Sequence, residues 1–254
     1  KTYKQAMSRL VLHFTESTLL LLEVAEHLVL STSIPLETNK PFARERMAGP
    51  IKEALAKHTL AQTLWFGPNY TLFPRALFDV NNLEAYYELN QGALPEQQQL
   101  SYQIIDSLDL VLIFSLPVWL NDFAKYELHT PLIQHTLALH LEQLGARNLN
   151  DRVVIHIEAN HFVLLAIKDR KLRCCTANEY QQPADILYFL LAHQQKLNLP
   201  KRLELDIYDA SQAFDYTSFE ALMKHFKDFE HFTCTFNETP TYQKQILCAS
   251  SEDL

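Results

Sequence analysis

The chain has 254 residues, 48% of them hydrophobic, with 22 Lys+Arg against 30 Asp+Glu and a net charge of −8. That apolar share suits one or two ordinary cores and excludes a disordered chain. Splitting after residue 150 gives 11 Lys+Arg and 15 Asp+Glu in each half, or −4 and −4. Neither half is basic, so no nucleic-acid partner is expected, because phosphate binding needs a concentrated cationic face. Arg44 and Arg46 come nearest to one and read as the solvated start of a helix.

From the N-terminal side, three strands are predicted at about 9–14, 18–25 and 28–33, with polar breaks short enough for an antiparallel meander. A helix over 43–58 and a strand over 61–66 follow. Residues 67–105 then break the pattern with Gly67-Pro68, an aromatic passage and a helix at 80–89. Leu110–Phe114 is expected as the fifth strand of the first sheet, Pro117 opens a helix, and His135–Leu144 closes the half with Gly145 as its stop.

The second half is plainer. Strands are expected at about 152–158, 161–168 and 171–177. Pro183 opens a helix carrying Ile186, Leu187, Phe189, Leu190 and Leu191 at helical spacing. A strand over Leu203–Tyr208, a helix around Phe219–Met223 and a strand over His231–Phe236 complete it. Arg9-Leu10-Val11-Leu12-His13-Phe14 and Arg152-Val153-Val154-Ile155-His156-Ile157 open the two halves alike. Both halves therefore read βββαβαβ, as an internal duplication would, with domains expected at 1–146, including the insertion 67–105, and at 147–254.

Cys174 and Cys175 are neighbours on a strand and point to opposite faces, and with Cys234 and Cys248 they fit no zinc spacing. No apolar run reaches the roughly 18 residues of a membrane span, the longest being interrupted by Pro117. The opening Lys1-Thr2-Tyr3-Lys4-Gln5 leads toward a strand without a signal-like apolar stretch. A reduced, cytoplasmic protein is the expectation.

Tandem βββαβαβ units are the topology of the actin-like ATPase superfamily, whose lobes have the ribonuclease-H-like α/β fold and close around a nucleotide. More specifically, the chain resembles the domain of unknown function family numbered 3822, from Bacteroidetes. The resemblance rests on Leu72-Phe73-Pro74-Arg75-Ala76-Leu77-Phe78, on Leu112-Ile113-Phe114-Ser115-Leu116-Pro117, and on His129-Thr130-Pro131-Leu132. It also rests on the Val153–Leu165 hairpin leading to Tyr188-Phe189-Leu190-Leu191. It implies an actin-like fold and brings no established activity.

The superfamily holds phosphates in the turn between the first two strands of each half, using an Asp and glycines that let backbone N–H groups close on the anion. Here those turns carry Thr15, Glu16 and Ser17 in one half and Glu158, Ala159 and Asn160 in the other. Neither has a glycine or an aspartate. The chain has only 4 Gly in 254 residues, against a usual share of roughly 7%, and the Gly-rich adenosine turn is missing. Glu16 and Glu158 add negative charge where a triphosphate would sit. ATP hydrolysis is not expected, and neither is any cofactor.

A ribonuclease-H-like nuclease would need carboxylates gathered on two metals, and Glu158, Asp206 and Asp209 form a partial set. Among the 11 histidines, His135 and His140 lie on different helix faces, while His13 and His156 occupy equivalent strand positions; hydrogen bonding within the strands is the expected role of this last pair. Ser115 lacks a nucleophile-elbow frame, and no base can be assigned to Cys174.

Degenerate actin-like proteins of bacterial secretion and pilus systems resemble this chain in keeping two lobes for partner docking. A non-catalytic protein-binding or scaffolding role is therefore the first expectation. The expected partner surface is the aromatic insertion with Trp65, Phe66, Tyr70, Phe73, Arg75 and Phe78, residue types that interface hot spots favour. A residual nucleotide-binding switch and a metal-dependent phosphodiesterase are the alternatives.

Overall fold

The computed structural model describes residues 9–25, 28–36, 43–130, 132–146, 151–158, 160–199, 204–209, 214–225 and 233–237. The chain divides into two compact units, with the boundary between Ala146 and Arg147.

In the first unit, β1 (Arg9–Phe14), β2 (Thr18–Ala25) and β3 (Leu28–Pro35) form the meander, followed by α1 (Ala43–Leu55) and β4 (Thr59–Trp65). After β4 come β5 (Tyr70–Pro74), the 3-10 turns Arg75–Leu77 and Val80–Asn82, α2 (Leu83–Gln91), β6 (Gln98–Ile105) and a 3-10 turn at Asp106–Leu108. The unit ends with β7 (Leu110–Pro117), α3 (Val118–Tyr126), β8 (Gln134–His135) and α4 (Thr136–Ala146). The second unit contains β9 (Arg152–Glu158), β10 (His161–Lys168), β11 (Lys171–Glu179), α5 (Pro183–Leu197), β12 (Glu204–Asp209), α6 (Tyr216–His225) and β13 (Thr233–Asn237).

Each unit carries a five-stranded sheet of the same order, β3-β2-β1-β4-β8 in the first and β11-β10-β9-β12-β13 in the second. The first strand is central in both: β1 pairs antiparallel with β2 and parallel with β4, as β9 does with β10 and β12. Almost every residue of β1 and β9 is buried on both faces, which is why these segments read as continuous apolar runs. In the second unit the core gathers Ile155, Ile157, Phe162, Leu164, Ile186, Leu190, Ile207 and Phe219.

Two sequence expectations are corrected. Leu110–Phe114 is a strand, but it belongs to a separate three-stranded antiparallel sheet, β5-β7-β6, and the fifth place beside β4 goes to the two-residue β8. The insertion therefore runs from β4 to β8 and includes β7 and α3. The strand was misplaced because β7 carries the strongest apolar pattern in the region, whereas two residues carry none. Gly145 lies inside α4 rather than beyond it. Its missing Cβ makes room for the Asp106–Leu108 turn, since a Cβ there would stand 2.3 Å from Ser107 Oγ. Ser107 Oγ donates to the Glu142 carbonyl at 3.0 Å, and Ser107 N–H donates to Glu142 Oε1 at 3.1 Å.

Local chemistry fixes the helix ends. Pro183 opens α5, and Asp185 Oδ2 accepts from the N–H groups of Gln181 (2.9 Å) and Gln182 (3.1 Å), satisfying donors a helix start leaves open. Asn198 ends it at φ 48, returning its N–H to the Gln194 and Gln195 carbonyls. Among the described residues no helix is long and apolar enough to cross a membrane, and Cys174 and Cys175 form no disulfide.

Candidate functional site

The turn between β1 and β2 is closed on itself. Thr15 N–H donates to the Thr18 carbonyl at 2.8 Å, while Thr15 Oγ1 accepts from Ser17 N–H at 3.2 Å and from Thr18 N–H at 3.0 Å. The amides an anion would need are thus taken by a threonine hydroxyl. Glu16 is half-buried and Ser17 exposed.

The corresponding turn in the second unit holds acid instead. Glu158 ends β9, and Asp209 ends the adjacent β12 in register with Ile157; both carboxyls are buried. Burial, and then the Asp209 charge, pushes the Glu158 carboxyl well above its ordinary range. Asp209 Oδ2 accepts from Phe214 N–H at 3.1 Å, and Tyr180 N–H donates to the Asn160 carbonyl at 2.9 Å. Burial, then Asp209 and Glu158, push the Tyr180 hydroxyl up to about 12. A phosphate brought here would meet carboxyl oxygens rather than open N–H donors. Ala159 lies outside the described residues.

The three carboxylates read as a metal set do not converge. Asp206 lies three residues before Asp209 on the same strand and so faces the other way. It is held by Arg152, whose Nη1 donates to Asp206 Oδ2 at 2.9 Å while its Nη2 donates to Glu204 at 2.6 Å. Among the described residues no group of three or more His, Cys, Asp or Glu side chains is placed to hold a metal ion.

Histidines do meet within the first unit, which the sequence reading missed. His13 Nε2 lies 3.1 Å from Thr136 Oγ1, and that hydroxyl lies 3.3 Å from the Trp65 carbonyl. Next to Thr136, His135 sits among Phe66, Tyr70 and Phe114, ring centroids 5.8, 6.1 and 4.8 Å away. Its Nε2 is 3.1 Å from the Gly67 carbonyl, and its Nδ1 accepts from Leu137 N–H at 3.2 Å. Burial lowers His13 to about 4; burial, with a smaller effect from His13, lowers His135 to about 3. In the second unit His156 is stacked on Tyr208 at 5.0 Å, and burial lowers it to about 3. These imidazoles are neutral structural groups at pH 7. Only the His-Thr pair at positions 135 and 136, on a segment with no strand pattern, could have signalled the first cluster.

The aromatic insertion is largely turned inward. Trp65, Phe66 and Tyr70 are buried, and Trp65 Nε1 donates to the Ser115 carbonyl at 2.9 Å. Phe73 and Phe78 are half-buried against Tyr86, at 4.1 and 6.0 Å. Arg75 is exposed and paired with Asp106. Ser115 is buried, its hydroxyl 3.3 Å from Tyr87 OH, so it is a packing residue. Arg44 is exposed and bonded to Glu127. Around β6 the insertion leaves apolar side chains to solvent, Leu77 at 68%, Val80 at 51%, Ile104 at 46% and Tyr102 at 39% exposure, and elsewhere in it Leu89, Val118, Tyr126 and Leu132 are exposed as well.

A solved structure from Bacteroides thetaiotaomicron VPI-5482, described as a protein with actin-like ATPase fold and unknown function, superposes with a TM-score of 0.72 at 14% identity. It covers 96% of this chain and 97% of that one. The fold of this protein is thus the actin-like ATPase fold. The chain belongs to the family described as protein of unknown function (DUF3822), whose model matches residues 3–229. More distant likenesses include the ethanolamine utilization protein EutJ from Carboxydothermus hydrogenoformans, at a TM-score of 0.47, 10% identity and coverage of 96% and 89%. Another is a PilM-PilN type IV pilus biogenesis complex, at 0.41, 15% and coverage of 76% and 66%. No curated protein matches the chain.

Proposed function

We propose that this protein is a non-catalytic member of the actin-like fold that acts in the cytoplasm through protein contacts made by its insertion. The observation that carries the reading is the half-covered β5-β7-β6 sheet. α2 packs on β5 and β7, with Tyr87, Val111 and Ile113 as the inner cluster. Beyond it, Tyr102 and Ile104 of β6, with Leu77 and Val80 of the preceding turns, remain exposed. Exposed apolar side chains gathered on one element mark interaction sites more often than scattered ones. The occupied amides at Thr15 and the acidic Glu158–Asp209 pair give a nucleotide no comparable foothold.

Two measurements test this. The first is thermal unfolding with and without millimolar ATP, ADP, Mg²⁺ or Mn²⁺. A ligand at about 100 times its dissociation constant adds roughly 2.7 kcal/mol, a rise of about 5–10 °C for a chain of this size. The expected result is no shift; a nucleotide-dependent rise would make the protein a switch, and a rise with Mn²⁺ alone would support metal chemistry. The second is capture with the wild-type chain as bait against a Leu77→Ser, Val80→Ser, Ile104→Ser variant. A partner retained equally by both baits would move the docking site elsewhere.

A further inference from the structure

β6 is an edge strand of eight residues, Gln98-Gln99-Leu100-Ser101-Tyr102-Gln103-Ile104-Ile105, with no charge and no proline. Proteins usually blunt an edge of that length with charged residues, proline or a bulge, because its unpaired N–H and C=O groups are a template for another strand. None of those devices is present. The pairing shows which groups face outward. Val118 N–H donates to the Gln97 carbonyl at 2.9 Å, so Gln97 and every second residue after it exchange hydrogen bonds with β7. Opposite Leu100, Ser115 sends its N–H the other way, to the Asn69 carbonyl beyond β5 at 3.3 Å. Both observations leave Leu100, Tyr102 and Ile104 with N–H and C=O directed away from β7, to an edge where no other strand pairs among the described residues. The side chains of this same trio lie on the half-covered face, and α4 with the Asp106–Leu108 turn packs near the end of the strand.

We infer that β6 pairs antiparallel with β6 of a second copy of this chain across a two-fold axis at Tyr102, joining two three-stranded sheets into one of six strands. This rests on the reading of the insertion as a docking module and names its occupant. A strand is the partner that satisfies alternating outward donors and acceptors. The two-fold through Tyr102 is the register that uses all three outward residues: Tyr102 meets Tyr102 of the copy, and Leu100 meets Ile104. On the opposite face Ser101 meets Gln103. Apolar therefore faces apolar across the outward trio; on the opposite face the Gln103 amide oxygen already accepts from His135 N–H, which leaves its NH2 for the Ser101 hydroxyl, so the strand is complementary to itself. A partner recognised by charge would need charged residues on this edge, and an acidic chain of net −8 associates with itself most easily where it carries no charge.

The test is the solution mass of the full chain from low to high micromolar concentration, together with register-specific crosslinking. The expected mass rises from one chain of 29.5 kDa to two. Tyr102→Pro removes an outward N–H and leaves the β6–β7 ladder intact, and Ile104→Glu sets a charge against the apolar Leu100; each should weaken association at least tenfold, Ile104→Glu with the melting temperature preserved and Tyr102→Pro with a small fall from the lost contact with the Phe78 ring, 5.1 Å away. Tyr102→Cys with copper–phenanthroline as oxidant should give a covalent dimer above the wild-type background. Residues facing each other in a hydrogen-bonded antiparallel pair stand about 5.5 Å apart at Cα, within disulfide reach. Ile104→Cys, which faces Leu100 of the copy, should not. A single-chain mass at every concentration, or a dimer indifferent to all these changes, overturns the self-pairing. If the mass stays single while the serine bait variant loses a captured protein, the self-pairing fails and the docking reading stands.

Discussion

The first-to-second-strand turns of the two units start from the same strand pattern and end in opposite chemistry. In the first unit Thr15 turns its own hydroxyl onto the Ser17 and Thr18 amides; in the second, Glu158 is buried beside Asp209. The shared fold preserves the hairpin and leaves its tip free to change. In one copy the turn amides are bonded from within, and in the other two buried carboxyls stand at the turn. Phosphate binding needs a preorganised cradle of open N–H groups, and neither arrangement resembles one.

The sharpest way to separate the units is acid. His13 and His135 in the first unit titrate at about 4 and about 3 in the fold, against about 6.5 when unfolded. Their contribution is complete above pH 6.5 and is lost as pH falls through the window toward those values, because the unfolded chain takes up the protons first. At pH 5 each withholds about 2 kcal/mol, so the first unit loses about 4 kcal/mol. The second unit has one such group, His156, and Glu158 works in the other direction: its raised pKa makes it stabilising at low pH and less so as pH rises. Both tryptophans, Trp65 and Trp119, lie in the first unit. The urea midpoint read by tryptophan fluorescence should thus fall further between pH 7.5 and 5.0 than the one read by far-UV circular dichroism. Equal falls would break the contrast.

Smaller effects sharpen it. Gly145→Ala should cost about 1–3 kcal/mol through overpacking against Ser107, measured by urea unfolding of the first unit; an unchanged midpoint would show that the turn moves aside freely. Thr15→Val should cost about 1 kcal/mol by stranding two turn amides. At the matching place in the other copy, Glu158→Gln should raise the melting temperature at pH 8 and lose that advantage at pH 5, since it removes a carboxyl that burial keeps from ionising. A variant less stable than wild type at both pH values would mean that the carboxyl makes a contact the amide cannot replace.

Much of this architecture was legible because each central strand is long and apolar and the second copy is uninterrupted. The strands of the second unit were placed to within a residue or two, as was Pro183 at the start of α5. The fifth strand of the first unit was illegible, since only Gln134 and His135 form it and they pair with Leu64 and Trp65 across the whole intervening insertion. The aromatics of that insertion were recognisable as a cluster, but composition does not say which side of a sheet a ring takes, and Trp65, Phe66 and Tyr70 face inward. Glu158 and Asp209 stood out as carboxyls at adjacent strand ends. That Asp206 could not join them was already implied by the odd spacing of three along a strand.

The scarcity of glycine also has a structural price elsewhere. β10 and β11 are joined through Asp169 and Arg170, which stand between the paired Lys168 and Lys171, and both adopt positive φ, 54 and 59. A two-residue hairpin of this form is the kind for which glycine is preferred at its second position. Arg170→Gly should relieve roughly 1 kcal/mol of left-handed backbone strain, which makes this hairpin a place where the protein can be made sturdier without touching its core.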